Sequence, residues 1–176
     1  MNHRRHFFGV VGSVSVFLLG CGREEKSFRL SVGQKIPTFE LPALNGVSAK
    51  VLPTAGPYLL NFWATWCPPC RAEMTALNRV HEALSPYGLK VLGISVDSDQ
   101  FLVREYVLKE KLSFPILFDN DGRVELRKAL NVSVYPTSFL VDSVGQIIEI
   151  LTGEQDWDSD SLRKRLGRLI VMAPSL

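Results

Sequence analysis

The chain has 176 residues, 46% of them hydrophobic and 22% charged, which suits one well-packed domain and leaves little room for a second. Its 13 glycines and 10 prolines are too few for a collagen-like or low-complexity tract. Of its 20 basic residues only Arg4 and Arg5 precede residue 21, so the remainder balances 18 basic against 18 acidic side chains and offers no net charge to draw in nucleic acid.

Residues 1–20 read as an export signal. Arg4 and Arg5, flanked by His3 and His6, precede an uncharged run from Phe7 to Gly20. That run is short for a membrane span, which needs about 20 residues, and matches the apolar region of a secretory signal peptide. It ends in Leu18-Leu19-Gly20-Cys21, which resembles a bacterial lipobox. Lipidation is therefore expected at Cys21, against the plainer readings of an uncleaved anchor or ordinary secretory cleavage. Several acyl chains on Cys21 would hold the protein on a membrane surface. Gly22 leaves inner or outer membrane open. Residues 21–34 read as a polar tether, and the folded domain is expected over 35–176.

Export implies an oxidising setting. With Cys21 lipidated, Cys67 and Cys70 are what remains of three cysteines. A pair three positions apart closes too small a loop to staple a fold. If the two are joined, the bond serves chemistry.

In chain order, Ile36–Leu41 alternates like a strand, Asn45-Gly46 signals a hairpin turn, and Val47–Val51 returns as a second strand. Pro53 to Pro57 reads as a loop. Tyr58–Trp63 is a short apolar run suited to a buried central strand. Pro68 and Pro69 fit the first turn of a helix, where a missing N–H costs little. Met74, Leu77, Val80 and Leu84 recur at helical spacing up to Pro86 and Gly88. Leu89–Val96 reads as another buried strand. Asp97 or Ser98 is expected to cap a helix over Phe101–Lys111, with Leu102, Tyr106 and Val103 as inward candidates. Phe114–Phe118 is a strand, Asp119–Gly122 a turn and Val124–Leu130 a short helix. Thr137–Val141 and Gln146–Leu151 form a hairpin through Asp142–Gly145. A last helix over about Asp158–Val171 starts acidic and continues basic, which suits the helix dipole. Its basic cluster reads as a solvated face, His81 as a surface or satisfied residue rather than a base, and Trp157 as packing.

This alternation predicts an α/β fold, a central mixed sheet flanked by helices. The element order is that of a thioredoxin-like fold with an N-terminal β-hairpin and a helix–strand insertion.

The chemistry sits in Trp66-Cys67-Pro68-Pro69-Cys70, between a buried strand and a helix. A CxxC also occurs in zinc sites, but zinc needs further ligands. After the signal only His81 remains among the histidines, so no metal is expected. At a helix N-terminus, unpaired N–H groups and the dipole stabilise a thiolate. Cys67, at an exposed entry, is expected to attack, and Cys70, one turn in and more buried, to resolve the mixed disulfide. No cofactor is expected beyond the redox-active Cys67–Cys70 pair. Glu73 follows Cys70 by three positions on the same helical face. It is either a proton carrier for Cys70, if burial raises its pKa, or an exposed acid favourable to the dipole. Arg71 reads as exposed, and Trp63 and Trp66 as residues that flank and shield the site.

Asn61–Met74 (NFWATWCPPCRAEM) and Val134–Asp142 (VYPTSFLVD) resemble the TlpA/ResA/cytochrome-maturation group of membrane-anchored bacterial thioredoxin-like proteins, and the similarity extends over roughly residues 33–170. The resemblance implies a dithiol–disulfide oxidoreductase, usually a reductant, working outside the cytoplasmic membrane. Its expected partners are protein thiols and disulfides, such as cytochrome c precursors or copper-site proteins, with a membrane electron donor of the DsbD/CcdA kind. It implies a cis bond at Pro136, which would set the Tyr135 backbone opposite the CxxC beside Trp66 as a substrate-binding edge. Glu73 occupies a position implicated in tuning the cysteines. Asn61 stands where thioredoxin itself has a buried aspartate, and an amide cannot carry that proton. Pro68-Pro69 lacks the histidine that makes DsbA-type sites oxidising. A potential nearer that of thioredoxin, about −270 mV, than that of DsbA, about −120 mV, is expected.

Other readings compete. A lipoprotein binding module or copper chaperone would hold a partner or Cu(I) between the two thiols. A thiol peroxidase would need a threonine three positions before its cysteine, where Ala64 stands. A non-redox scaffold would tolerate Cys67→Ala.

Overall fold

The computed structural model describes residues 30–51, 56–119 and 126–171. The expected signal at 1–20, the Cys21 lipidation site, the Pro53 end of the first loop, the Asn120–Gly122 turn and the start of the short helix at Val124 lie outside the described residues.

Phe39–Pro42 (β1) and Ser48–Val51 (β2) form an antiparallel hairpin, Phe39 opposite Val51. Gly46 turns it at φ +84°, a conformation that costs glycine little. Tyr58–Trp63 (β3) is buried at all six positions. It lies at the centre of a five-stranded sheet ordered β5–β4–β3–β6–β7. Lys90–Ser95 (β4) runs parallel to β3, and Ile116–Phe118 (β5) parallel to β4. Thr137–Val141 (β6) runs antiparallel to β3, and Ile147–Thr152 (β7) antiparallel to β6. The helices are Pro68–Leu84 (α1), Gln100–Glu110 (α2), Leu126–Ala129 (α3) and Asp160–Val171 (α4). The mixed α/β thioredoxin-like fold with its front hairpin and its α2–β5 insertion is the one the sequence predicts.

Strand alternation decides which side chains reach the site. Leu59 and Trp63 point into the core shared with Met74, Leu77 and Val80 of α1 and Leu162 and Leu166 of α4. Leu60 and Phe62 point the other way, into a second core with the hairpin, Leu126 and Phe139. Asn61 has the parity of Leu59 and Trp63, so the one polar residue of β3 faces α1. Ser138 stands directly opposite it on β6.

Two local expectations are corrected. The cap of α2 is Asp99, which accepts from the Phe101 N–H at 2.8 Å, and not Asp97 or Ser98. That register buries Val103, half-buries Tyr106 and leaves Leu102 52% exposed, because Val103, Tyr106 and Val107 form the stripe that meets Trp63 and its neighbours. The described end of the expected tether is docked rather than free. Leu30 is buried, its N–H donates to the Ala129 carbonyl, and Gly33 and Ile36 bond to the β6–β7 hairpin.

Candidate active site

The site begins where β3 ends. After Trp63 the chain leaves the sheet through Ala64-Thr65-Trp66, and Cys67 caps α1 in an extended conformation (φ −96°, ψ 105°). Pro68 and Pro69 fill the first helical turn, where neither N–H would find an intrahelical partner. The first free N–H of the helix is that of Cys70, and it donates to Cys67 Sγ at 3.3 Å. Cys67 and Cys70 are joined in a disulfide with their Cα atoms 5.3 Å apart. Once the bond is reduced, the same N–H and the helix dipole favour a thiolate at Cys67.

Cys67 is less open than its expected place at an exposed entry suggests: it is 5% exposed and Cys70 is 0% exposed. The indole of Trp66 beside it is 63% exposed and meets the Tyr135 ring edge-on at 5.9 Å. The Tyr135–Pro136 bond is cis. The structure thus brings Trp66 and Tyr135, distant in sequence, together as one aromatic rim beside the disulfide. Trp63, expected to flank the site, is fully buried against Tyr106 instead, with ring centroids 5.4 Å apart. Burial pushes the Tyr106 hydroxyl up to about 12, and that hydroxyl donates to the Arg71 carbonyl at 3.3 Å. Arg71 itself is exposed.

Glu73 is the main electrostatic feature. It lies one turn after Cys70 and is 2% exposed, so the alternative of a solvated first-turn acid does not hold. Its Oε1 accepts from Asn61 Nδ2 at 2.8 Å and its Oε2 from the Gln155 N–H at 2.8 Å. Burial pushes its pKa up to about 7, against the pull of those two hydrogen bonds and with a small push from the negative charge of Glu154. The Trp157 indole N–H also lowers it, although that N–H closes no hydrogen bond of ordinary geometry. Asn61 Nδ2 donates a second time, to Ser138 Oγ at 2.9 Å.

A second polar cluster holds the approach to the cysteines. Asp97, just past the end of β4, accepts from the Thr65 N–H at 3.0 Å and from the Thr65 hydroxyl at 2.6 Å. The Ser95 hydroxyl donates to the same carboxylate at 2.8 Å.

Asp97, Ser138, Gln155 and Trp157 were not legible as site residues. Ser138 carried a signal, being a small polar residue inside the apolar strand TSFLV. Asp97 carried another, at the carboxyl end of a parallel strand, where α/β sites gather. His81, expected as an ordinary residue, is half-buried with its ring edge-on to Phe114 at 6.1 Å, and burial lowers its pKa.

Comparison with known proteins agrees with this geometry. Residues 32–150 match the AhpC/TSA family. The thiol-disulfide oxidoreductase ResA of Bacillus cereus is 32% identical over 148 residues, which cover 84% of this chain and 82% of that protein. The thioredoxin-like protein YneN of Bacillus subtilis is 35% identical over 73% of this chain and 76% of its own length. Among solved structures, StoA from Bacillus subtilis superposes with a TM-score of 0.61 at 26% identity, covering 71% of this chain and 95% of its own. A candidate thiol:disulfide interchange protein DsbE from Chlorobium tepidum gives 0.72 at 27% identity, covering 80% and 99%. With a paired CxxC at the mouth of α1, an aromatic rim across from it and these relatives along most of its length, the chain belongs to the thioredoxin-fold thiol-disulfide oxidoreductases of the ResA type, within the AhpC/TSA family.

Proposed function

We propose that this oxidoreductase works as a reductant of protein disulfides on the outer side of the cytoplasmic membrane, tethered through lipid on Cys21. The observation that carries the reductant reading is the Pro68-Pro69 pair between the cysteines, which lacks the histidine of a DsbA-type site, while the buried Glu73 one turn below Cys70 supplies a group to take the Cys70 proton. In the reduced protein the Cys67 thiolate attacks one sulfur of a substrate disulfide. A mixed disulfide forms and one substrate thiolate leaves, taking a proton from water. Glu73 accepts the Cys70 proton, and the Cys70 thiolate attacks Cys67 Sγ. The second substrate thiolate is released, and the Cys67–Cys70 disulfide results. Two electrons from a membrane donor of the DsbD/CcdA kind then restore the dithiol. A general base works best with a pKa near the operating pH, which Glu73 has.

Trp66, Tyr135 and Pro136 form the edge against which an extended cysteine-bearing segment would lie. Apocytochrome c or a copper-site protein is the substrate class this reading favours. Export is supported by the signal-like residues 1–20 and by likeness to a secreted Mycobacterium tuberculosis disulfide oxidoreductase, 26% identical with a TM-score of 0.64. No helix among the described residues is long and apolar enough to cross a membrane.

The deciding experiment is a trap with Cys70→Ser, which leaves Cys67 to hold its substrates. Mixed disulfides with exported cysteine-bearing proteins are expected, and Cys21→Ala should release the protein from the membrane fraction. A trap that accumulates nothing, or a potential near that of DsbA, about −120 mV, would overturn the reductant assignment.

A further inference from the structure

Asn61 is fully buried in the middle of β3, yet its carboxamide is only half satisfied. Nδ2 donates twice, to Glu73 Oε1 at 2.8 Å and to Ser138 Oγ at 2.9 Å, while Oδ1 is buried and has no partner among the described residues. A buried, unpaired carbonyl in an otherwise bonded network calls for a reason. The bond donated to Oε1 suits an ionised Glu73 and does not suit one protonated on that oxygen. Oε2 already accepts from the Gln155 main-chain N–H, so a proton added to the carboxyl belongs on Oε1. There it would point at the Asn61 NH2 group, donor against donor.

A half-turn of the carboxamide removes that clash. Oδ1 then sits where Nδ2 was and accepts the Glu73 O–H. The Ser138 hydroxyl, which can donate or accept, reverses and donates to the same oxygen. Nδ2 moves to the place where Oδ1 now has no partner. Either orientation therefore leaves one amide group unpaired in the same spot. We propose that Asn61 is a positioning residue whose carboxamide turns over with the protonation of Glu73, donating to the carboxylate and accepting from the carboxylic acid, with Ser138 reversing in step.

The groups that face Glu73 are consistent with this. They are Cys70 one turn back on α1, Asn61 from β3, and Glu154, the Gln155 N–H and Trp157 from the segment after β7. Among the described residues Glu154 is the one charged side chain whose field acts on Glu73, and it favours the acid form. An ionised aspartate at position 61 could not donate to the carboxylate, leucine could serve neither state, and asparagine serves both without a charge of its own.

The inference deepens the proton-carrying role proposed for Glu73, and its test is separable from that role. In the oxidised full-length chain, labelled for NMR, the Glu73 carboxyl carbon should titrate with a midpoint near 7. Above the midpoint the Asn61 amide protons should show contacts to Glu73 Hγ and Ser138 Hβ, and below it those contacts should disappear. Unchanged contacts through the titration would overturn the proposal, as would a Glu73 carboxyl that does not titrate between about pH 5 and 9. In Asn61→Leu both the bond to the carboxylate and the bond to the acid are lost, so the midpoint should rise by about one unit at most, the difference between a hydrogen bond to a charged group and one to a neutral group. A rise of about two units or more would show that Asn61 serves the carboxylate alone and would overturn the proposal, and Ser138→Ala, expected to move the midpoint less, gives the milder variant if Asn61→Leu does not fold. If the amide turns over while thiol exchange by the reduced protein ignores pH around the midpoint, the proton-carrying role of Glu73 falls and the adapter stands.

Discussion

Asp97 fastens Thr65. Its carboxylate accepts from both the main-chain N–H and the hydroxyl of Thr65, at 3.0 and 2.6 Å, across the gap between the ends of the neighbouring strands β4 and β3. Cys67 lies two residues beyond Thr65, and the Cys67 N–H returns to the Ala64 carbonyl at 3.2 Å. The position of Cys67 is thus tied to a side chain from the loop after β4.

Removing that clasp should cost stability and reactivity together. Asp97→Ala strands the Thr65 N–H and the Ser95 hydroxyl. The loss should be about 2–3 kcal/mol in urea-induced unfolding, because hydrogen bonds to a buried charged group are at stake. Alkylation of Cys67 in the reduced protein should also change its rate at fixed pH. A variant as stable as the wild type would show that the clasp contributes nothing net.

Glu73 gives a pH dependence of a definite sign. Its folded pKa, about 7, lies above the ordinary carboxyl value of 4.5, so between the two the folded state holds a proton that the unfolded state has released. The benefit is complete below pH 4.5, declines as pH rises, and is gone above about 7. Relative to Glu73→Gln, the wild type should therefore lose about 3 kcal/mol between those limits and change little beyond them. Paired denaturant titrations at several pH values would measure this, and a difference that grows in favour of the wild type with rising pH would contradict it.

Trp66 should matter to substrates and not to the fold. It is 63% exposed and its main ring partner is Tyr135. Trp66→Ala should change stability by less than about 0.5 kcal/mol, as surface changes usually do. It should raise KM for a protein disulfide by about tenfold, in line with an aromatic anchor at an interface. Reduction by dithiothreitol, which needs no docking edge, should keep its rate.

Gly93 is a packing position. A Cβ there would lie 2.7 Å from Ile116 Cδ1, 2.9 Å from Phe114 Cε2 and 3.1 Å from Trp63 Nε1. Gly93→Ala should destabilise by about 1–3 kcal/mol through overpacking, read as a lower Tm. A neutral result would mean that β5 can move outward at little cost.

Much of the fold could be read from the chain because its signals are local. The apolar run Tyr58–Trp63 became the central strand, and Thr137–Val141 keeps its expected bounds. The cap of α2 was harder, because Asp97, Ser98 and Asp99 all suit an N-cap and only the packing of Val103 and Tyr106 against the core chooses among them. The docking of Leu30 was hidden for a related reason, since its bonding partner Ala129 is far along the chain.

The sequence by itself determined the chemistry: two sulfurs at the first turn of a helix, prolines between them, and a carboxyl one turn further on the same face. Those are relations within a few residues, and helix geometry alone enforces them. Only the tertiary structure decided how Glu73 is charged and what holds Cys67 in place. Burial beneath the sheet raises the Glu73 pKa, and Asn61, Ser138, Gln155 and Asp97 arrive from other strands and loops. The pKa of a carboxyl and the rigidity of a loop depend on what surrounds them in space, and those neighbours are brought in from distant parts of the chain.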